Sequence, residues 1–416
     1  MSDFITETYT AKREILNYAN KLSKGSGRPK QKFLADMLYG IIASESILLS
    51  DIADVLKEDI KKINTIDRLS LNLSKGLPNA ALWNHADLIK DDIPQNPVVL
   101  LDDTEVIKPH GKKFEDLGKV RDGSSKDGKI EKGYWVTEAV ALSNENQPIS
   151  LYSKVYSQNE KDFKSSNVYT TAAIDDAIVQ IKGKATFVCD RAYDSNMVFQ
   201  YFIDKGQDYI IRLTEKRKLF HKGKWIKASS LMQMRKGKYK VILKFQGEEK
   251  ECYVSFINVK ITASKRPMRL VMIYGIGEKP MMLATNRPIK GKDDIVNICR
   301  TYLGRWRIEE YFRFKKQHFG FEDFRVRSLK SINTLNKLLT FSITFLNKIM
   351  GKKKNHKLKN AVYERANSLR DKVLFHYYRI AKGLAMILHA AKTGIKDWYK
   401  PRVRAKSIQL CMNLKC

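Results

Sequence analysis

Two short apolar runs constrain what this chain can fold into. VVLL at 98–101 and ATFVC at 185–189 each run straight into aspartate, as LDDT at 101–104 and CDRAYD at 189–194. Apolar runs of this length, rich in β-branched residues and closed by polar ones, read as strands covered on both faces. Such strands need helices on either side, so the chain calls for a layered sheet. Open α/β sheets collect functional groups at the carboxyl ends of their strands, which is where these acids fall.

The neighbouring segments fit around that sheet. GYWVTEAVALS and QPISLYSKVYS predict two strands joined by a polar turn at Asn144 to Asn146. Residues 169–181 suit a helix, SNMVFQYFIDKG a second one closed by Gly206, and DYIIRL a further strand. Strand with acid, hairpin, helix, strand with acid, helix, strand is the layout of a ribonuclease-H-like fold, an α/β (mixed-sheet α+β) class. The chain then divides into a helical region at 1–95, a core at 96–213 and 288–350, a β-rich insertion at 214–287, expected to be all-β, and a basic helical region at 351–416. The insertion rests on KYKVILKFQ, KECYVSFINVKI and MRLVMIYGI. The last region rests on GKKKNHKLKN and FHYYRIAKGLAMILHAA. Within the first, LSDIADVLKEDIKKINTIDRLSLNLSKGL predicts a short helix capped by Ser50, carrying Ile52, Ala53 and Leu56, then a turn and a helix with Arg68. That is either a helix-turn-helix suited to DNA or a plain helical bundle.

Charge narrows the partner. The 416 residues carry a formal net charge of +32. Such an excess repels itself in the compact state and is usually offset by a polyanion, nucleic acid ahead of an anionic membrane. The most apolar run, LLTFSITFL, is too short to cross a bilayer. Five cysteines, at 189, 252, 299, 411 and 416, are odd in number and form no CxxC, which argues against a disulfide framework or zinc module and fits a reducing cytoplasm. MSDFITETYTAKREIL lacks the apolar core of a signal peptide.

The densest chemistry lies in YLGRWRIEEYFRFKK, residues 302–316. On a continuous helix, at about 100° per residue, Tyr302, Arg305, Glu309, Arg313 and Lys316 share one stripe while Glu310 turns toward solvent. Simple pairing of Arg305 with Glu309 and of Glu309 with Arg313 would contribute about 0.2–0.5 kcal/mol per pair. With Asp103 and Asp190 at strand ends, Glu309 completes a three-carboxylate set. Hard oxygen donors select Mg²⁺ or Mn²⁺, and a metal pair suits phosphoryl transfer. The flanking cations would hold a nucleic-acid backbone beside it.

The spacing Tyr302, two residues, Arg305, three residues, Glu309, six residues, Lys316 is similar to the YREK signature of bacterial insertion-sequence transposases of the DDE type. DDT at 102–104 resembles that family's first-aspartate motif and CDRAYD its second, and the β-rich stretch before Glu309 resembles its insertion. The likeness covers about residues 30–350. It implies that Asp103, Asp190 and Glu309 are catalytic and bind two Mg²⁺ or Mn²⁺ ions. Asp102 and Asp103 both fit as the first ligand, and Asp103, directly before threonine, is preferred. Tyr302, Arg305, Arg313 and Lys316 would contact DNA, and Arg191 would help orient the site. Met281 stands where some members carry a tryptophan that stacks on an extruded base; Trp306 is the other aromatic near the stripe.

The implied activity is cleavage of double-stranded DNA at terminal inverted repeats and joining of the 3′-OH to target DNA. The enzyme would work as a homodimer or larger assembly on the bacterial nucleoid in the cytoplasm, with no membrane. The alternatives are a catalytically silent DNA-binding regulator and a ribonuclease-H-like nuclease without strand transfer. His110 and His318 are lesser candidates for approaching DNA, and the loop from Lys112 to Lys132 is either phosphate-contacting or simply solvated. Cys189 reads as a core residue, and Ser124 and Ser125 have no partner pattern for nucleophilic chemistry.

Overall fold

In this computed structural model, five helices lead into the sheet: α1 (Ser2–Leu22), α2 (Arg28–Ser44), α3 (Leu49–Leu56), α4 (Lys62–Lys75) and α5 (Asn79–Ile89). The structure describes residues 2–123, 125, 127–234, 237–245, 247–351, 356–366 and 375–395. Ser124, part of the charge run (352–355), Cys411, Cys416 and the basic C-terminal end lie outside the described residues. The expected cap Ser50 falls inside the first turn of α3. Ser46 orders that turn instead, its Oγ accepting from Leu48 N at 3.1 Å and donating to Asp51 at 2.8 Å.

The core follows as β1 (Val98–Ile107), β2 (Gly118–Arg121), β3 (Ile130–Leu142), β4 (Pro148–Tyr156), α6 (Ser166–Ile181), β5 (Thr186–Cys189), α7 (Asn196–Asp204) and β6 (Asp208–Arg212). β1 runs antiparallel to β3 and parallel to β5, β5 runs parallel to β6, and β4 closes on β3. This is the mixed order expected of a ribonuclease-H-like core. The 112–132 stretch is more ordered than a loop, because β2 pairs with the first residues of β3.

The insertion contains β7 (Lys218–His221), β8 (Lys224–Lys227), the short α8 (Ala228–Gln233), β9 (Tyr239–Phe245), β10 (Glu248–Ile261), β11 (Arg266–Tyr274) and β12 (Met281–Thr285). It is β-rich but not all-β. It also continues the core sheet: β12 pairs antiparallel with β6 and with β11, giving one 12-stranded sheet among the described residues.

The chain ends with α9 (Lys292–Leu303), α10 (Trp306–Arg313), a π-helical segment (Phe314–His318), α11 (Leu329–Gly351), α12 (His356–Arg365) and α13 (Tyr377–His389). α13 packs on α1, α2, α11 and α12, so the C-terminal helices join the N-terminal ones in a single layer. No single helix among the described residues is long and apolar enough to cross a membrane.

Strand alternation sorts the core. Leu100, Val106, Val188 and Ile210 join the cluster formed with the N- and C-terminal helices and α9–α11. Val99, Leu101, Phe187 and Cys189 join the opposite cluster, built with α6 and α7. Successive side chains of a strand point to opposite faces. Asp102 therefore shares the face of Leu100, toward α10, and Asp103 shares the face of Leu101.

Candidate active site

The two halves of the site come from adjacent parallel strands and the helix laid across them. Leu101 is in register with Cys189, so Asp102 and Asp190 emerge side by side as β5 ends. Asp190 caps the one-turn 3₁₀ helix Arg191–Tyr193, its carboxylate accepting from Ala192 N at 2.6 Å. From above, Arg305 Nη1 donates to Asp102 Oδ2 at 2.6 Å, and its Nη2 donates to Glu309 Oε1. One guanidinium thus spans the β1 acid and the helix acid. Burial works against the charge on Arg305, but Asp102 and Glu309 outweigh it and raise its pKa.

Asp103 is differently placed. Its Oδ1 accepts from Thr137 Oγ1, the residue opposite it in the β1–β3 ladder. Tyr193 approaches from the same side. Burial lifts Asp102 to about 7, with the Asp190 and Asp103 carboxylates adding and Arg305 opposing. Burial lifts Asp103 to about 6, with Asp190 adding and the Thr137 and Tyr193 hydroxyls opposing. So Asp102, Asp190 and Glu309 are gathered on the Arg305 side, and Asp103 faces Thr137.

The expected single stripe is broken twice. α9 stops at Leu303, and α10 ends in the π-helical turn at Phe314. A π turn takes in an extra residue, which rotates the side chains after it by roughly 100°. Within α10, before that turn, Arg313 pairs with Glu310 at i,i+3 rather than with Glu309. Glu310, expected in solvent, is the less exposed of the two glutamates, at 20% against 53%. Lys316 turns to β1, where Glu105 holds it at 3.0 Å and Glu322 at 3.6 Å. Tyr302 is buried on α9 beside Arg305, and Arg191 is exposed.

The rotation that frees Lys316 drives Lys315 inward, a residue that sequence reasoning alone does not single out. Lys315 Nζ donates to Glu138 Oε2 at 2.9 Å, Asn336 Oδ1 at 2.7 Å and Ser153 Oγ at 3.3 Å. Ser150 and Ser153 donate to the two oxygens of Glu138. The pair is 2% and 0% exposed. Burial lowers the Lys315 pKa while Glu138 raises it, with a net lowering. Glu138 lies opposite Asp102 in the ladder, so this network sits beside the site on the same face of the sheet. The one signal in the sequence is a lone glutamate in the otherwise apolar stretch YWVTEAVAL.

Beside Arg305 opens a cleft of about 630 Å³ lined by Met281, Tyr302, Trp306, Arg212, Lys244, Glu309 and others. It brings together Met281 and Trp306, the two positions weighed for base stacking. His318 packs against Phe314 and faces Glu45 at 3.3 Å; burial and Lys382 push its pKa down to about 4. That places it in a packed interior. His110 is exposed after β1, and Cys189 is fully buried.

Among the described residues, no three acids, histidines or cysteines stand close enough to hold a metal ion as the side chains lie. The donor chemistry still fits one. Asp102, Asp190 and Glu309 offer only carboxylate oxygens, and Arg305 already marks the space between two of them as one that favours positive charge.

The family described as "Transposase DDE domain" matches residues 94–345, which takes in β1, β5 and α10. Among solved structures, the chain is similar to one titled "Cryo-EM structure of piggyBac transposase synaptic complex with hairpin DNA (SNHP)", at 9% sequence identity and a TM-score of 0.38, covering 88% of this chain and 84% of that one. No curated protein sequence matches.

Proposed function

We propose a reaction for this chain on the premise that it belongs to the transposase DDE domain family. It binds the terminal inverted repeats of its element in double-stranded DNA, hydrolyses a phosphodiester there and joins the freed 3′-OH to target DNA. In the first step water adds to phosphorus and the bond to the 3′ oxygen breaks, leaving a 3′-OH and a 5′-phosphate. In the second, that 3′-OH forms a new bond to a target phosphorus and a target 3′ oxygen leaves. No covalent bond to the protein is needed, so the protein's task is positioning and charge stabilisation.

Asp102, Asp190 and Glu309 are the residues that would hold Mg²⁺ or Mn²⁺, with Asp102 in place of the sequence-preferred Asp103. Such ions would supply Lewis-acid charge stabilisation at the phosphate. Arg305 fixes Asp102 and Glu309 relative to each other and sets a cation beside the reacting phosphate. Tyr302, Arg191, Arg313 and Lys316 are the residues that would contact DNA around the site, Lys316 after leaving Glu105 and Glu322. A dimer or larger assembly brings two element ends together.

The observation that carries this reading is the Arg305 bridge from the β1 acid to the α10 acid. The test is Glu309→Gln with a plasmid bearing the gene and its native flanks in Mg²⁺ or Mn²⁺. End cleavage should be lost while DNA binding in EDTA persists. Cleavage at the wild-type rate would sink the assignment. Pre-cut ends offered with target DNA separate a transposase from a nuclease that does not join.

A further inference from the structure

We propose that Lys30, Lys75 and Lys330 form a clamp for the sugar-phosphate backbone of duplex DNA, at the end of α4 and on the flank of the catalytic core. The three come from separate elements: the start of α2, the end of α4 and the start of α11. Lys30 Nζ donates to the carbonyl of Gly76 at 2.9 Å, and the Lys330 side chain passes so close to Gly76 that a Cβ there would lie 3.2 Å from its Cε. Lys75 immediately precedes Gly76, so all three side chains converge on one turn. Among the described residues, none of them pairs with a carboxylate. Glu115, at the start of α11, accepts from Leu329 N.

This convergence is costly in the free protein. Burial, then Lys75 and Lys330, lower the pKa of Lys30. Lys30 and Lys330 also stand in the first turns of their helices, where the helix dipole disfavours a cation. Two of the three lie in a region that is not basic overall, since residues 1–95 contain 13 basic and 13 acidic side chains. Acids are plentiful in this region, and among the described residues none forms an ion pair with the three lysines. A polyanion explains the arrangement, since neutralising phosphates releases condensed counterions and offsets the repulsion.

The surroundings favour a duplex. α4 buries Thr65, Leu69 and Leu73 and pairs Arg68 with Asp36 and Glu58, while Ile63, Leu71 and Lys75 on its outer side stay exposed. Past Lys330, the exposed Arg327 and Arg325 continue the positive surface back toward Glu322, the partner of Lys316. A backbone lying on the clamp is thereby led from α4 toward the acids.

The proposal rests on the reading of the chain as a DNA-acting protein, and binding measured in EDTA separates the two. The variant is Lys30→Gln, Lys75→Gln, Lys330→Gln in the full chain, titrated by anisotropy with a labelled 40-base-pair duplex from 50 to 200 mM salt. Each lost phosphate contact should flatten the slope of log K against log salt by about 0.9. The triple variant should therefore lose between about two and three units of slope, on every duplex sequence alike. It should melt no lower than wild type, and the corresponding triple arginine variant should keep the slope. Replacing the exposed Lys90, Lys161 and Lys182 by glutamine is the control. An unchanged slope in the clamp variant, or equal flattening in the control, overturns the clamp. Absence of duplex binding by the wild-type protein overturns the DNA reading itself.

Discussion

Lys315→Met is the most informative perturbation of the scaffold beside the site. It keeps the length of the side chain but removes the ammonium that bonds Glu138, Asn336 and Ser153. Glu138, with no exposed surface, would retain only the hydroxyls of Ser150 and Ser153. Breaking a buried pair from one side costs about 3–5 kcal/mol, because the remaining charge stays desolvated. Against a typical total of about 5–15 kcal/mol this is a large fraction, yet it leaves a foldable chain. Urea unfolding followed by tryptophan fluorescence should show that loss as a lower midpoint with little change in slope. The double variant Lys315→Met, Glu138→Leu removes both charges and should recover most of it, since an apolar pair of similar volume is about neutral in such a place. A single-variant cost below about 1 kcal/mol would refute the claim that a paired charge sits there. So would a double variant as unstable as the single. If the network also fixes the turn that carries Lys316, the stable double variant should still need more Mn²⁺ for half-maximal cleavage.

Asn at position 102 should abolish metal-dependent cleavage, whereas Asn at position 103 should reduce it less, its role being a hydrogen bond to Thr137; equal losses would remove the distinction drawn from strand alternation. The pH dependence of the metal-free protein arises from the same two acids. Their folded-state values, about 7 and about 6, lie above the ordinary 3.8, so the native state binds more protons than the unfolded chain in that window. Their contribution to stability should therefore fall as pH rises from about 4 to about 7. Urea midpoints in EDTA at pH 5 and pH 7.5 should show a fall that the Asp102→Asn, Asp103→Asn protein lacks; a wild-type fall no larger than the variant's would contradict it.

The sequence by itself determined the elements that make the chemistry possible. Apolar runs ending in Asp102, Asp103 and Asp190 had to be strands, since only a sheet covered on both faces buries VVLL and TFVC together. The order of strands and helices, and the acid, arginine and aromatic content of 302–316, were likewise legible in local pattern. Direction was not legible there. Two neighbouring aspartates are equivalent in a string. They become opposite only when β1 pairs with β3 and β5 and one face receives α10. A continuous helix put Arg313 and Lys316 on the stripe of Glu309, but Arg313 pairs with Glu310 within α10, and the π turn at Phe314 carries Lys316 to Glu105. The same π turn buries Lys315 against Glu138, 177 residues away in the chain. Strand pleat and helix period are set by neighbours along the sequence; which carboxylate meets which cation is set by packing between segments far apart in it.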